Sequence, residues 1–270
     1  MTRFAIIAGA FAALQLAACS GNDPMVGESG ESKLVDKPAE PVTPTPPPVV
    51  ADAGAIAAAM PANIHWFRNS AEYQATTRQV YALAGLTLAQ KVEYRTSARG
   101  WAVVLDADET VLNNSQQQKE SAALGLGFSP ERWTAWVERK EATAIPGAKA
   151  FLKRVHQLGG KVVIVTNRSA AECPATEANL HSEGLEYDVA LCKQDTSDKN
   201  PRFKSVEEGK ASASLPALDV VMFVGDNIQD FPDQSQALRT ADDGAFVDFG
   251  SRFFVLPNPM YGSWEKNPQL

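Results

Sequence analysis

Trp101-Ala102-Val103-Val104-Leu105-Asp106-Ala107-Asp108-Glu109-Thr110 is the stretch on which the fold turns. Five apolar residues run without interruption and stop at a carboxylate. A short continuous apolar run suits a strand buried on both faces, as in a parallel sheet. Two later runs repeat the form. Val162-Val163-Ile164-Val165 stops at Thr166-Asn167-Arg168, and Val220-Val221-Met222-Phe223-Val224 stops at Gly225-Asp226-Asn227-Ile228-Gln229-Asp230. Ligands of open α/β sheets bind beyond the carboxyl ends of the strands, so these three polar ends mark the candidate site.

Helical signals separate the runs. Pro146 suits a first helical position and Gly159 a C-terminal cap, with Phe151, Leu152, Val155 and Leu158 as the apolar stripe between them. A second helix is predicted from about Ala170 to Gly184, and a third from near Pro201. Ahead of the first strand, Asn69 and Glu72 form a variant capping box. Tyr73, Thr77, Val80, Ala84 and Leu88 then share one helical face, with Trp66 and Phe67 just before. This alternation predicts a doubly wound α/β domain over residues 52–270 with a mostly parallel sheet. An N-terminal helical extension precedes it.

The N-terminus reads as an address. Residues 1–18 form a signal peptide with Arg3 ahead of an apolar run from Phe4 to Leu16, too short for a membrane span of roughly 20 residues. Leu16-Ala17-Ala18-Cys19 resembles a bacterial lipobox, which implies lipidation at Cys19. Ser20 in place of Asp implies, by the same resemblance, the outer membrane. Residues 19–51 carry six prolines between Pro38 and Pro48 and read as an extended tether. The other two cysteines, Cys173 and Cys192, are either a disulfide, which an oxidising compartment permits, or two separate core residues.

Composition bounds the function. The 270 residues are 44% hydrophobic and 21% charged, which excludes a wholly disordered chain. A net charge of −7 argues against a nucleic-acid polymer as partner, while a metal ion and a few local cations still allow a small anionic substrate. His65, His156 and His181 show neither triad nor metal spacing, and no Gly-x-x-x-x-Gly-Lys or Gly-x-Ser-x-Gly is present.

Asp106-x-Asp108-Glu109-Thr110, Thr166-Asn167-Arg168 and Gly225-Asp226-Asn227-x-x-Asp230 together resemble the three motifs of the haloacid-dehalogenase-like (HAD) superfamily. Within it they resemble the bacterial class C acid phosphatases and lipoprotein 5′-nucleotidases. Trp133-Thr134-Ala135-Trp136 and Leu256-Pro257-Asn258-Pro259-Met260-Tyr261-Gly262 extend the likeness, which covers roughly residues 60–265. The resemblance implies a phosphomonoesterase acting on nucleoside monophosphates, nicotinamide mononucleotide among them, or on aryl phosphates. Asp106 would be the nucleophile, Asp108 the general acid and base, and Mg²⁺ the cofactor. The implied metal ligands are Asp106, the Asp108 backbone carbonyl, Asp226 and Asp230, the last bound directly, through water, or acting instead by orienting a lysine. Of Lys193, Lys199 and Lys204, the family's lysine three before an arginine selects Lys199.

Thr166 and Asn167 are implied phosphoryl contacts. Arg168 is either a third contact or a structural ion pair. The resemblance further implies a small helical cap over about residues 112–145, where Phe128, Trp133 and, from the C-terminus, Tyr261 either clamp a nucleobase by stacking or pack the cap; Trp136 reads as packing. Asn113 stands where the family often has Asp, which removes a negative charge near the site entrance. Ala211–Ser214 reads as an inserted surface loop. The competing readings are a dehalogenase or phosphomutase on the same fold, and a non-catalytic haem-binding or adhesin-type lipoprotein. The oligomeric state, a homo-oligomer included, stays open.

Overall fold

The computed structural model describes residues 60–269. The signal segment, Cys19 and the proline-rich stretch lie outside the described residues. Five strands form a wholly parallel sheet: β1 (Trp101–Leu105), β4 (Lys161–Ser169), β5 (Val189–Lys193), β6 (Asp219–Gly225) and β7 (Phe253–Val255), in the order β5-β4-β1-β6-β7. Chain order runs outward from β1 through β4 to β5, then restarts on the other side with β6 and β7. The reversal falls between β1 and β6, where such sheets hold their ligands.

The pleat explains the unbroken apolar runs. Trp101, Val103 and Leu105 face one core, and Ala102 and Val104 face the other. The first core is the larger. It takes α2 (Ala71–Glu93) through Tyr81, Ala84 and Leu88, α5 (Ala148–Gln157) through Phe151, Leu152 and Val155, and α6 (Cys173–Ser182) through Ala175 and Leu180. The second takes α7 (Asn200–Glu207) through Phe203 and Val206. Both faces being covered, every strand of the sheet centre had to be apolar on both sides.

Between β1 and α5 lies the cap: an antiparallel pair β2 (Leu112–Asn113) and β3 (Thr143–Ala144), with α3 (Ser115–Ala123) and α4 (Pro130–Arg139) between them. Its inner residues Trp136, Val137, Ala142 and Ile145 join the larger core, so the cap has no core of its own.

Four local details differ from the sequence reading. The cap of α2 is Ser70, whose hydroxyl accepts the Tyr73 amide at 3.0 Å; Asn69 ends α1 (Ala62–Asn69), which already holds Trp66 and Phe67. Tyr81 joins the inner face of α2, more deeply buried than Val80, which packs on the same core only in part, and the Tyr81 hydroxyl donates to the Thr110 carbonyl at 2.7 Å. The helix after the cap starts past Pro146, with Gly147 at its N-cap; a φ of 95° there demands glycine. Strands β5 and β7 lie outside the three runs of the sequence reading, although Val189-Ala190-Leu191-Cys192 and Phe253-Phe254-Val255 are short apolar runs.

Candidate active site

Asp106 leaves the end of β1 at the point where the sheet order reverses, its amide donating to Val224 of β6 at 3.0 Å. Asp226 leaves the neighbouring end of β6. Asp230 returns to the same place because Asn227 caps a short 3₁₀ turn: the Asn227 amide donates to Asp230 Oδ2 at 2.9 Å. One carboxylate oxygen from each of Asp106, Asp226 and Asp230 lies within 4.8 Å of the others. Burial, then Asp230 and Asp106, push the Asp226 carboxyl well above its ordinary range. Burial likewise raises Asp106 to about 7, against the pull of Lys199. An all-carboxylate cluster so crowded suits a small hard divalent cation, whose charge would relieve the repulsion.

Lys199, at the N-terminus of α7, is 3% exposed and donates to Asp106 Oδ1 and Asp230 Oδ1, at 2.5 and 2.7 Å. Lys204 instead sits on the surface beside Glu208, and Lys193 lines the cavity described below. Asp230 therefore spends one oxygen on Lys199 and the other on the Asn227 amide, which makes orienting the lysine its visible occupation. Asp226 accepts from Thr110 Oγ1 at 3.2 Å and from Asn258 Nδ2 at 2.8 Å.

The pairing of Leu105 with Ile164 brings Thr166 to the same edge as Asp106. Thr166 is fully buried, and its hydroxyl oxygen accepts the Arg168 amide at 3.1 Å. Asn167 is committed elsewhere in part: its Nδ2 donates to Ser197 at 3.0 Å and its Oδ1 accepts from Arg202 at 2.6 Å. Arg202, a mere landmark in the sequence, thus ties the end of β4 to the segment carrying Lys199.

Asp108 faces a cavity of about 800 Å³ roofed by the cap. Phe128, Trp133 and Tyr261 all line it, with Asn167, Lys193 and Glu172 among its polar walls. Phe128 is 75% exposed, so it packs little of the cap, and the Tyr261 hydroxyl is buried without a partner. Trp136 is buried, as read, though its indole also donates to Asn114 Oδ1 at 2.8 Å. Arg168 makes an ion pair, but with Asp108 inside the site, at 2.7 Å. Asn113 is absent from the cavity wall; its Oδ1 accepts the Ser115 amide at 2.9 Å, so the lost charge does not border the substrate space.

Sequence reasoning passed over two residues under this floor. Glu109 is fully buried with φ 53°, a strained value for a side-chain-bearing residue. Burial, then Asp108, push its carboxyl up to about 8, against donors from Asn114. Asn114 is equally buried and links Asp108, Glu109, Trp136 and Arg168. Neither polar residue carried a burial signal in the sequence.

A family model for the HAD superfamily, subfamily IIIB (acid phosphatase), matches residues 51–264. The chain belongs to that family. Its structure is similar to that of the class C acid phosphatase of Bacillus anthracis, 31% identical, over 75% of this chain and 85% of that one, with a TM-score of 0.66. The same Bacillus anthracis enzyme with tungstate bound matches equally well in shape, at 30% identity. Among curated proteins, Acid phosphatase 1 of Solanum lycopersicum is 25% identical over 159 residues, 58% of this chain and 57% of that protein. The Stem 31 kDa glycoprotein of Glycine max is 25% identical, also over 58% of each chain. The alignment thus spans a little over half of these plant relatives.

Proposed function

We propose that this subfamily IIIB protein is a Mg²⁺-dependent acid phosphatase that hydrolyses nucleoside monophosphates or aryl phosphates through an aspartyl-phosphate. The observation that carries the reading is the buried Asp106–Lys199–Asp230 chain beside Asp226, with Asp106 two residues from Asp108, which lines an aromatic-walled cavity. Asp106 attacks phosphorus with the oxygen that Lys199 leaves free, and the ester oxygen departs with a proton from Asp108. Asp108 then takes a proton from water as that water attacks the phosphorylated carboxylate. Thr166 offers its hydroxyl proton to a phosphoryl oxygen, and Lys199 neutralises charge on nucleophile and phosphate together. Mg²⁺, held by Asp106, the Asp108 carbonyl and Asp226, would supply further positive charge for the phosphoryl group. The tungstate held by the Bacillus anthracis relative supports an oxyanion site on this fold.

Phe128, Trp133 and Tyr261 around the cavity support a flat aromatic leaving group, such as a nucleoside. The lipobox ending at Cys19 supports a lipid-anchored protein of the outer membrane, with the proline-rich stretch as its tether. Phosphate release from AMP and from 4-nitrophenyl phosphate, with and without EDTA, tests the reading. Asp106→Asn should remove the activity, and retention of more than about a tenth of it would refute the covalent role.

A further inference from the structure

We propose that Arg168 is a positioning residue that locks one oxygen of Asp108 and so decides which oxygen delivers the proton to the leaving group. The inference rests on Asp108 acting as the general acid.

The two oxygens of Asp108 are unequally engaged. Oδ1 accepts from Arg168 Nη2 at 2.7 Å, Arg168 Nε at 3.0 Å and Asn114 Nδ2 at 2.8 Å. Oδ2 receives a single longer contact, from Arg168 Nε at 3.3 Å. An oxygen with three donors has little capacity left, so Oδ2 is the oxygen free to meet the leaving group. The side chain holding Oδ1 is itself immobile. Arg168 is 2% exposed; its Nη1 donates to Thr176 Oγ1 at 3.3 Å, and Nη2 donates to Asn114 Oδ1 at 3.1 Å as well as to Asp108. Its guanidinium lies 5.5 Å from the Trp133 ring centre, against the cap. A planar fork held on these sides fixes the Asp108 rotamer far better than a single charge would. The same commitments argue that Arg168 is not a phosphate ligand.

The proton balance follows. The Oδ2–H bond breaks as the ester oxygen leaves phosphorus, and that oxygen takes the proton while Asp106 forms the new P–O bond. Asp108 is left as a carboxylate against Arg168. Water then attacks phosphorus, the Asp106–phosphorus bond breaks to release phosphate, and Oδ2 takes the proton from that water.

General acid help matters most for poor leaving groups, because an alkoxide needs the proton and a nitrophenolate does not. The test compares kcat/KM, which reports the first phosphoryl transfer, for an alkyl monoester and for 4-nitrophenyl phosphate. It uses the full-length chain with Mg²⁺ and the variants Arg168→Lys and Arg168→Gln. Relative to wild type, the alkyl ester should lose about 100-fold and the nitrophenyl ester less than about 5-fold, with inhibition by inorganic phosphate unchanged. Equal losses on both esters overturn the inference. So does lost phosphate affinity in both variants, since Arg168 would then be holding the whole site rather than one oxygen. Asp108→Asn separates the two levels: if it shows the leaving-group bias and the Arg168 variants do not, positioning alone fails. If Asp108→Asn lacks the bias, the assignment of Asp108 as acid fails with it.

Discussion

Lys199 shares one buried ammonium between Asp106 and Asp230, at 2.5 and 2.7 Å. Desolvation opposes the charge, but the two carboxylates together outweigh it and raise the lysine above its ordinary range. Asp230, anchored by the Asn227 amide, holds the lysine against Asp106, the proposed nucleophile.

Lys199→Ala should therefore lower kcat/KM by about a thousandfold, the scale of losing a preorganised charge contact. Lys199→Arg should not restore it, since a planar fork does not fit a slot built for an ammonium. Asp230→Ala strands the lysine and should cost about 3 kcal/mol of stability as well. Steady-state kinetics and urea denaturation of the three variants check this; wild-type stability in Asp230→Ala would show the pair to be idle.

Trp133 and Tyr261 border the same cavity, and the Tyr261 hydroxyl is buried with no partner. An unpaired buried hydroxyl contributes nothing to the fold, so Tyr261→Phe should leave thermal stability unchanged or raise it. If that hydroxyl and the indole serve substrate, Tyr261→Phe and Trp133→Ala should raise KM for AMP by about tenfold, or roughly 1.4 kcal/mol. A small alkyl phosphate should keep its KM in both variants. Parallel KM measurements on the two substrates decide between clamp and packing.

Cys173 and Cys192 form a disulfide with their Cα atoms 5.9 Å apart, joining the first residue of α6 to β5. Their neighbours Glu172 and Lys193 both line the cavity, so the bond braces its wall. It closes a loop of 19 residues, for which chain entropy gives about 3 kcal/mol. Cys173→Ser with Cys192→Ser should lose that much in urea denaturation, and a reducing agent should then have no further effect on the double variant.

What the sequence made legible follows from what was physically repetitive. Three apolar runs ending in carboxylate or hydroxyl residues could be read because burial on both faces of a sheet leaves no polar positions. Strand β5 was missed although Val189-Ala190-Leu191-Cys192 is a continuous apolar run, because it ends at Lys193 with no carboxylate or hydroxyl motif to single it out. In the site, Asp106 and Asp226 were legible from the ends of the apolar runs and Lys199 only through the family resemblance, and the structure brings the three together. Arg168 was ambiguous because a buried arginine looks the same in sequence whether it holds phosphate or another side chain; only its distance to Asp108 separates the cases. Asn114 and Glu109 are polar residues in a dry network, where hydrogen bonds replace hydropathy as the ordering principle.

The cap meets the sheet through Glu172, and this contact carries a pH signature. Glu172 Oε1 accepts from Thr134 of α4 at 2.8 Å, while Oε2 accepts from the Ser169 amide and hydroxyl, both at 2.8 Å. Burial pushes the carboxyl up, but the Ser169 amide, Thr134, the Ser169 hydroxyl and Arg168 outweigh it together and hold it below its ordinary 4.5. A carboxyl lowered in the folded state adds stability that is fully present above its unfolded value and is lost as pH falls through the folded one. The difference in Tm between wild type and Glu172→Gln should therefore be constant from pH 7 to about 5.5, then shrink as pH drops below 4.5. Substrate KM should follow the same course, because Glu172 and Thr134 both line the cavity. A Tm difference that grows on acidification would reverse the sign of the argument and show that Glu172 is held neutral in the folded protein.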